Sequence, residues 1–347
     1  MTDATEQSVA GDAFAFTGTW REYLPIAASN FFLTILTLGI FRSWAKARER
    51  RYLWSHTIFI DDRLEWTGTG KEMFIGFLFA MLVGALPLFL LNLLSQSLIL
   101  HGQPGLAFVT FIGLYIFALL LFGFARFRAL RYRLSRTWWH GIRGGSDAKG
   151  GGYAWSSLWK TIVGGFALTL LMPWALTELW NERWNAMSFG PHRFESFANA
   201  EGLVWRWALL VFGPILFIIL GFALSGTLGP GGVAISFVLT YLSYVIGSFV
   251  FYAAYFRKTI GSLELGPLQF SFDATGWGIT KLLLGDLGLI IVTLGFGISF
   301  LHYRHWSFLI RHLGASGAVD LESFTQSTTT APKEAEGFAD AFDIGAF

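Results

Sequence analysis

The sequence predicts an α-helical multi-pass membrane protein with internal repeats, and three observations carry that prediction. Charged residues fill only 14% of its 347 positions and hydrophobic ones 54%, against roughly 25% charged in soluble domains. Four runs are apolar and uncharged: Met73 to Leu94, Leu106 to Phe124, Ala208 to Leu224 and Val233 to Phe256. Each is close to the ~20 residues a helix needs to cross a hydrocarbon core about 30 Å thick. The third observation is a repeat. One fixed shift superimposes Trp44-Ala45 on Trp174-Ala175, Trp54 on Trp184 and Arg63 on Arg193. A larger one superimposes Phe14 and Phe16 on Phe270 and Phe272, Thr37-Leu38-Gly39 on Thr293-Leu294-Gly295, Arg48 on Arg304 and His56 on His312.

In chain order, residues 1–13 form a polar, acidic N-terminus with no basic stretch feeding an apolar core, so a cleaved signal peptide is not expected. A membrane domain over 14–324 follows. It has repeat units near 14–66, 144–196 and 270–322, separated by helical hairpins at 73–124 and 208–256. Those hairpins turn at "HGQPG" and "SGTLGPGG", stretches rich in the Gly and Pro that mark turns. They supply four transmembrane helices. Three further apolar helices, at 23–41, 161–176 and 282–301, either span or re-enter. The apolar runs after Asn30 and Asp286 are only about 11 and 14 residues, nearer to re-entrant length. If none of the three crosses, all 25 Lys and Arg residues lie on one side.

Each unit is flanked by stretches that alternate apolar and polar residues and end in Gly or Asp, the pattern of short strands. They are 14–19, 58–70, 268–276 and 318–324, with looser versions at 137–150 and 187–197. Unpaired strand backbone has no partner in lipid. These strands are therefore expected to pair with one another at the membrane face.

Basic residues concentrate after the first repeat helix and after the first hairpin, while the hairpin turn between them has no Lys or Arg. Such an excess marks the cytoplasmic side. Arg42, Lys46, Arg48, Arg50, Arg51, Arg131 and Arg133 are candidate contacts for anionic headgroups. The interleaved Tyr52, Trp44, Trp54, Trp138 and Trp139 suit the interfacial belt. Position beside lipid argues against nucleic acid as the partner of these arginines.

The repeat aligns Asn30, Lys160 and Asp286 at one position, a candidate intramembrane polar site. A Lys160–Asp286 pair with Asn30 nearby would line an ion or proton pathway; alternatively each snorkels or caps a helix near an interface. There is no GxSxG, HExxH, P-loop or dinucleotide fingerprint in the required context. No catalytic residue, metal ligand or cofactor is assigned. The absence of Cys excludes thiol chemistry. His56 and His312, at matched positions, read as architecture. The flexible tail, 325–347, ends in an acidic-aromatic stretch with Phe338 and Phe342 one helical turn apart, a candidate docking segment for a partner protein or for the basic face.

The stretches "FAFTGTWREY", "NFFLTILTLGIFRSWAKARERRYLWSHT" and "DRLEWTGTG", with "ARFRALRYRLSRTWWHGIRGG" at 125–145 and the second Thr-Leu-Gly at 293–295, resemble the YjgN-like family of bacterial inner-membrane proteins, built on domain of unknown function 898. Ser43 stands where the pattern has Pro, and "GISFLHYRHW" is a degraded copy of the basic helix. The resemblance implies a multi-pass inner-membrane location and no activity. A membrane scaffold or lipid-interacting protein is the leading reading. A small-solute or ion transporter with a polar site near Asp286 is the alternative, and a membrane enzyme has the least to work with.

Overall fold

The computed structural model describes residues 7–9, 13–319, 325–327 and 329. The acidic-aromatic end of the tail, with Phe338 and Phe342, lies outside the described residues.

The described chain is a meander of short strands in which tight turns alternate with pairs of helices. β1 (Gln7–Val9) pairs with the last strand. β2 (Phe14–Phe16) leads into α1 (Trp20–Leu36) and α2 (Arg42–Ser55), and the chain returns as β3 (Thr57–Phe59) beside β2, with Phe16 opposite Thr57. β4 (Asp62–Arg63) and β5 (Glu65–Trp66) follow. The first long excursion is α3 (Gly70–Ala80), a π-helical stretch at Met81–Ala85, α4 (Leu86–Leu100) and α5 (Pro104–Arg136). It closes at β6 (Thr137–Trp139), where Thr137 faces Trp66.

The plan then repeats. β7 (Ile142–Gly145) sends out α6 (Gly151–Gly165) and α7 (Met172–Asn185), which return to β8 (Ser188–Phe189) alongside β7. β9 (His192–Ser196) sends out α8 (Val204–Leu228) and α9 (Pro230–Gly261), closing at β10 (Leu263–Leu265) with Ser196 opposite Leu263. β11 (Leu268–Phe272) sends out α10 (Gly276–Val292), and a 3-10 turn at Phe296–Phe300 leads to α11 (Leu301–His312). β12 (Leu313–Val319) closes it, with Leu313 opposite Phe272.

Antiparallel pairing places successive connections at opposite ends of a sheet. All five helix pairs therefore leave from one end and the tight turns from the other. At two of those turns Gly190 (φ 56°) precedes Pro191 and Gly266 (φ 57°) precedes Pro267. A positive-φ glycine followed by φ-locked proline suits a two-residue hairpin loop. Among the described residues the strands form a nine-stranded sheet and a three-stranded one, which share one apolar core containing Phe59, Trp139, Phe194 and Leu268. Phe14 bridges the two sheets, its ring 4.5 Å from Phe59 and 6.3 Å from Phe270.

The long pairs meet the length and hydropathy needed to cross a membrane, and their apolar windows are only 6–11% buried within the protein. Apolar surface left in contact with water on that scale would be strongly unfavourable, so this is the lipid-facing belt. The chain reverses at Gly102 (φ 70°) and Gly229 (φ 56°), within the Gly/Pro stretches predicted to turn, and Pro104 and Pro230 open the next helices.

The three short pairs also return to the sheet, on helices of only 12–17 residues. Thr37 Oγ1 donates to Leu33 O (2.7 Å) and accepts from Phe41 N (2.9 Å), while Leu38 and Gly39 take φ of 50° and 90°. Thr293 repeats this with Leu289 O and Gly297 N, both at 2.6 Å, and Leu294 and Gly295 sit at 50° and 94°. Thr-Leu-Gly is therefore a left-handed helix stop. Leu38 and Leu294 are 94% and 96% exposed, which leaves an apolar side chain at the tip of each hairpin. The middle unit has no glycine there. Thr169 holds φ 66° and accepts from Trp207 Nε1 at 3.1 Å.

Outgoing helices α1, α6 and α10 expose Phe32, Ile35, Trp155, Ile162, Leu287 and Ile291, whereas returning α2 buries Lys46, Arg50 and Trp54. The strand expected over 318–324 is seen only as Ala318 and Val319, because β12 begins earlier, at Leu313; the rest lies outside the described residues. β10 is only three residues long and most of β12 does not alternate; both exist because neighbouring strands pair with them.

Candidate functional site

Each short hairpin carries a buried polar residue on its outgoing helix, and the returning helix answers it. Asn30 donates from Nδ2 to Ala45 O (3.1 Å) and Glu49 Oε1 (3.4 Å), with Arg48 reaching its Oδ1 at 3.5 Å. Lys160 Nζ donates to Glu182 Oε1 at 3.0 Å and Glu178 Oε2 at 3.5 Å. Asp286 Oδ1 accepts from Arg304 Nε at 2.6 Å, and its Oδ2 lies 2.6 Å from His305 Nε2. Arg48, Glu178 and Arg304 occupy one repeat position. The same pair of positions is thus polar in all three hairpins, with the charges exchanged between the second and third.

Asn30, Lys160 and Asp286 are therefore not gathered into one site. The Lys160–Asp286 pair, one of the two sequence readings, does not form, because their hairpins hang from separate strand pairs and each charge is compensated at home. Both Asp286 oxygens are engaged. A buried carboxylate held this way is a clamp between α10 and α11.

A cavity of about 680 Å³ does form, between the first and third hairpins. That is within the ~300–1,000 Å³ of small-molecule sites. Arg42, Lys46 and Arg50 line it from α2, Arg133 from α5, and His302 and His305 from α11; Glu49 is the carboxylate on its wall. Phe31 and Ile35 of α1 and Ile298 and Leu301 of the third hairpin supply an apolar side toward the hairpin tips. His302 Nδ1 lies 3.2 Å from Glu49 Oε2 and ties the two hairpins together. Nearer the sheet, Trp54 and Trp306 stack at 4.1 Å. Their indole nitrogens donate to Thr137 Oγ1 and Thr57 Oγ1, each at 2.9 Å.

The seven basic residues singled out in the sequence divide. Arg42, Arg48 and Arg51 are exposed and Arg133 is half-buried, but Lys46, Arg50 and Arg131 are buried. Arg50 lies over the Trp66 ring at 4.8 Å, and Arg131 donates from Nη1 to Ala148 O at 2.9 Å. The basic helix α2 returns along α1 and turns part of its charge inward. Sequence reasoning missed Glu49, His302 and His305. The pairing of Arg304 with Asp286 was within reach, since Arg304 aligns with Arg48, but the His302/His305 spacing resembled a decayed basic helix. His56 and His312 do share one role, each Nδ1 lying 2.8 Å from the carbonyl four residues back, Tyr52 O and Phe308 O.

The bacterial protein family of unknown function DUF898 matches residues 12–341. Inner membrane protein YjgN of Salmonella typhimurium LT2 is 24% identical over 375 residues, covering 92% of this chain and 91% of its own. YjgN of Escherichia coli O157:H7 is 30% identical over 158 residues, 46% of this chain and 37% of its own. No solved structure matches. With a family match that runs through all five helix pairs and every strand from β2 on, the chain belongs to the DUF898 family.

Proposed function

We propose that this is an inner-membrane scaffold that holds the headgroup of an anionic phospholipid in the cavity between its first and third hairpins. The observation carrying this reading is the cavity's polarity: cations on one wall, and an apolar side running toward exposed leucine tips. A phosphate beside Arg42, Lys46 and Arg50 would add charge-assisted hydrogen bonds to the contacts those side chains already make, while acyl chains leave past Ile35 and Ile298. The inner-membrane location is supported by the YjgN relatives, whose name states it.

The sheet is placed on the cytoplasmic side. No Lys or Arg lies between Met73 and Ala125 or between Ala208 and Phe256, so the positive-inside rule puts both long-hairpin turns outside. Single cysteines at Gly102 and Gly229 should react with an impermeant maleimide added to intact spheroplasts, the chain having no Cys of its own. Labelling only after lysis would overturn the orientation.

For the cavity, native mass spectrometry of protein from vesicles containing phosphatidylglycerol should show retained anionic lipid. Lys46→Gln/Arg50→Gln should reduce that retention ~10-fold or more, as expected when two charge-assisted contacts of roughly 1.5–3 kcal/mol each are weakened. Arg42→Gln, at an exposed position, should act in the same direction with less risk to folding. Unchanged retention in both variants would remove the lipid-binding role.

A further inference from the structure

Among the described residues, one cation on a returning helix, Arg183, has no carboxylate partner. Arg183 of α7 is 2% exposed. Its Nε and Nη1 donate to nothing among the described residues, and neither does Nε1 of Trp180, whose ring lies 5.6 Å from the guanidinium carbon. The charged groups that act on Arg183 most strongly are two further cations, Arg126 and Arg133 of α5, with Tyr153 and Tyr255 as its other polar neighbours. Tyr255 spends its hydroxyl proton on Leu176 O. Burial above all, and then Arg126, lower the Arg183 pKa to about 10, which still leaves the side chain charged at neutral pH. Buried donors are almost always satisfied, and a buried charge without a partner costs several kcal/mol. Water could fill one donor, but it supplies no charge.

We infer that Arg183 and Arg126 form a second anion site, distinct from the cavity, which takes the phosphate group of a membrane phospholipid or a free phosphate. A guanidinium fork matches two phosphate oxygens. The location fits a lipid. Arg126 follows directly on the uncharged run of α5, is half-buried, and packs at 5.6 Å over Phe122, which is itself 49% exposed on the apolar surface. A phosphate at headgroup height could therefore reach Arg126 from the bilayer and Arg183 behind it, where α5, α6, α7 and α9 meet.

The test compares thermal unfolding midpoints of delipidated protein in neutral detergent, alone, with phosphatidylglycerol, with phosphatidylcholine, or with inorganic phosphate. Wild-type protein should be stabilised by the anionic lipid, or by inorganic phosphate if the free ion is the ligand. Arg183→Met and Arg126→Gln should each lose at least about half of that Tm shift, and Arg183→Lys should keep more of it than Arg183→Met because the charge remains. The two Arg variants are read alongside Lys46→Gln/Arg50→Gln, which should retain the Arg183-dependent part of the shift, so failure at one site is distinguishable from failure at the other. Stabilisation by phosphatidylglycerol but not phosphate assigns the lipid; stabilisation by phosphate at equal concentration assigns the free ion. The inference is overturned if neither anion gives an Arg183-dependent shift. It is equally overturned if Arg183→Met raises the midpoint to the same degree in every condition, the behaviour of a buried cation that simply has no ligand. Should Arg183→Met fail to fold, Arg126→Gln carries the same comparison from a half-buried position.

Discussion

Asp286→Leu lowers the stability of the solubilised protein by about 3 kcal/mol, near the low end of what removing one partner of a buried ion pair costs. The low end applies because Arg304 and His305 are themselves a third exposed, while the Asp286 side chain is 7% exposed. Leucine fills the space but strands a guanidinium that the carboxylate held at 2.6 Å and an imidazole held at the same distance. Asp286→Asn should cost about 1–2 kcal/mol, since an amide still offers Arg304 one acceptor. Combining Asp286→Leu with Arg304→Leu should recover part of the loss, because both charges then leave together. Midpoints of SDS- or heat-induced unfolding would read all three. A clamp between α10 and α11 is the wrong description if Asp286→Leu melts with wild type.

Gly123→Val is expected to cost ~2–3 kcal/mol and to loosen the contact between the first long hairpin and the second short one. A Cβ built on Gly123 would stand 2.7 Å from Ser157 Cβ and 3.2 Å from the Ala154 Cα. Rotation of one side chain relieves neither, so α5 and α6 would have to separate. Small residues at such crossings are how membrane helices approach closely. Gly113 of the same α5 has no heavy atom within 4 Å of its Cβ position. Gly113→Ala should therefore be neutral or stabilise by up to ~1 kcal/mol through helix propensity alone. If the two substitutions have equal effects, the helix crossing does not set the stability of this region.

The features legible from sequence were those written in local physics. The four long apolar runs announce themselves by length against the bilayer, and their turns by Gly102, Pro104, Gly229 and Pro230. The Thr-Leu-Gly repeats were visible as a pattern, but reading them as left-handed stops needs backbone angles. A leucine at φ 50° with 94–96% exposure is disfavoured locally and tolerated only because the threonine hydroxyl and the glycine close the helix around it. Whether segments 23–41, 161–176 and 282–301 cross was undecidable from composition, because a hairpin of two short helices and one tilted span contain similar numbers of apolar residues. Pairing of Phe16 with Thr57 and of Phe272 with Leu313 makes them hairpins.

The same division holds for the polar sites. Sequence by itself determined that Asn30, Lys160 and Asp286 are equivalent, that basic residues flank the long hydrophobic runs and are absent from their turns, and that no familiar catalytic motif is present. Tertiary structure alone decided the partners: Glu178 and Glu182 for Lys160, Arg304 and His305 for Asp286, and the meeting of α2 with α11 that opens the basic cavity. The physical reason is range. Apolar periodicity, capping and turn chemistry act over a few residues and leave their mark in the chain. Charge compensation acts over a few ångströms in space, so which acids answer one lysine waits until the sheet has set which helices stand side by side.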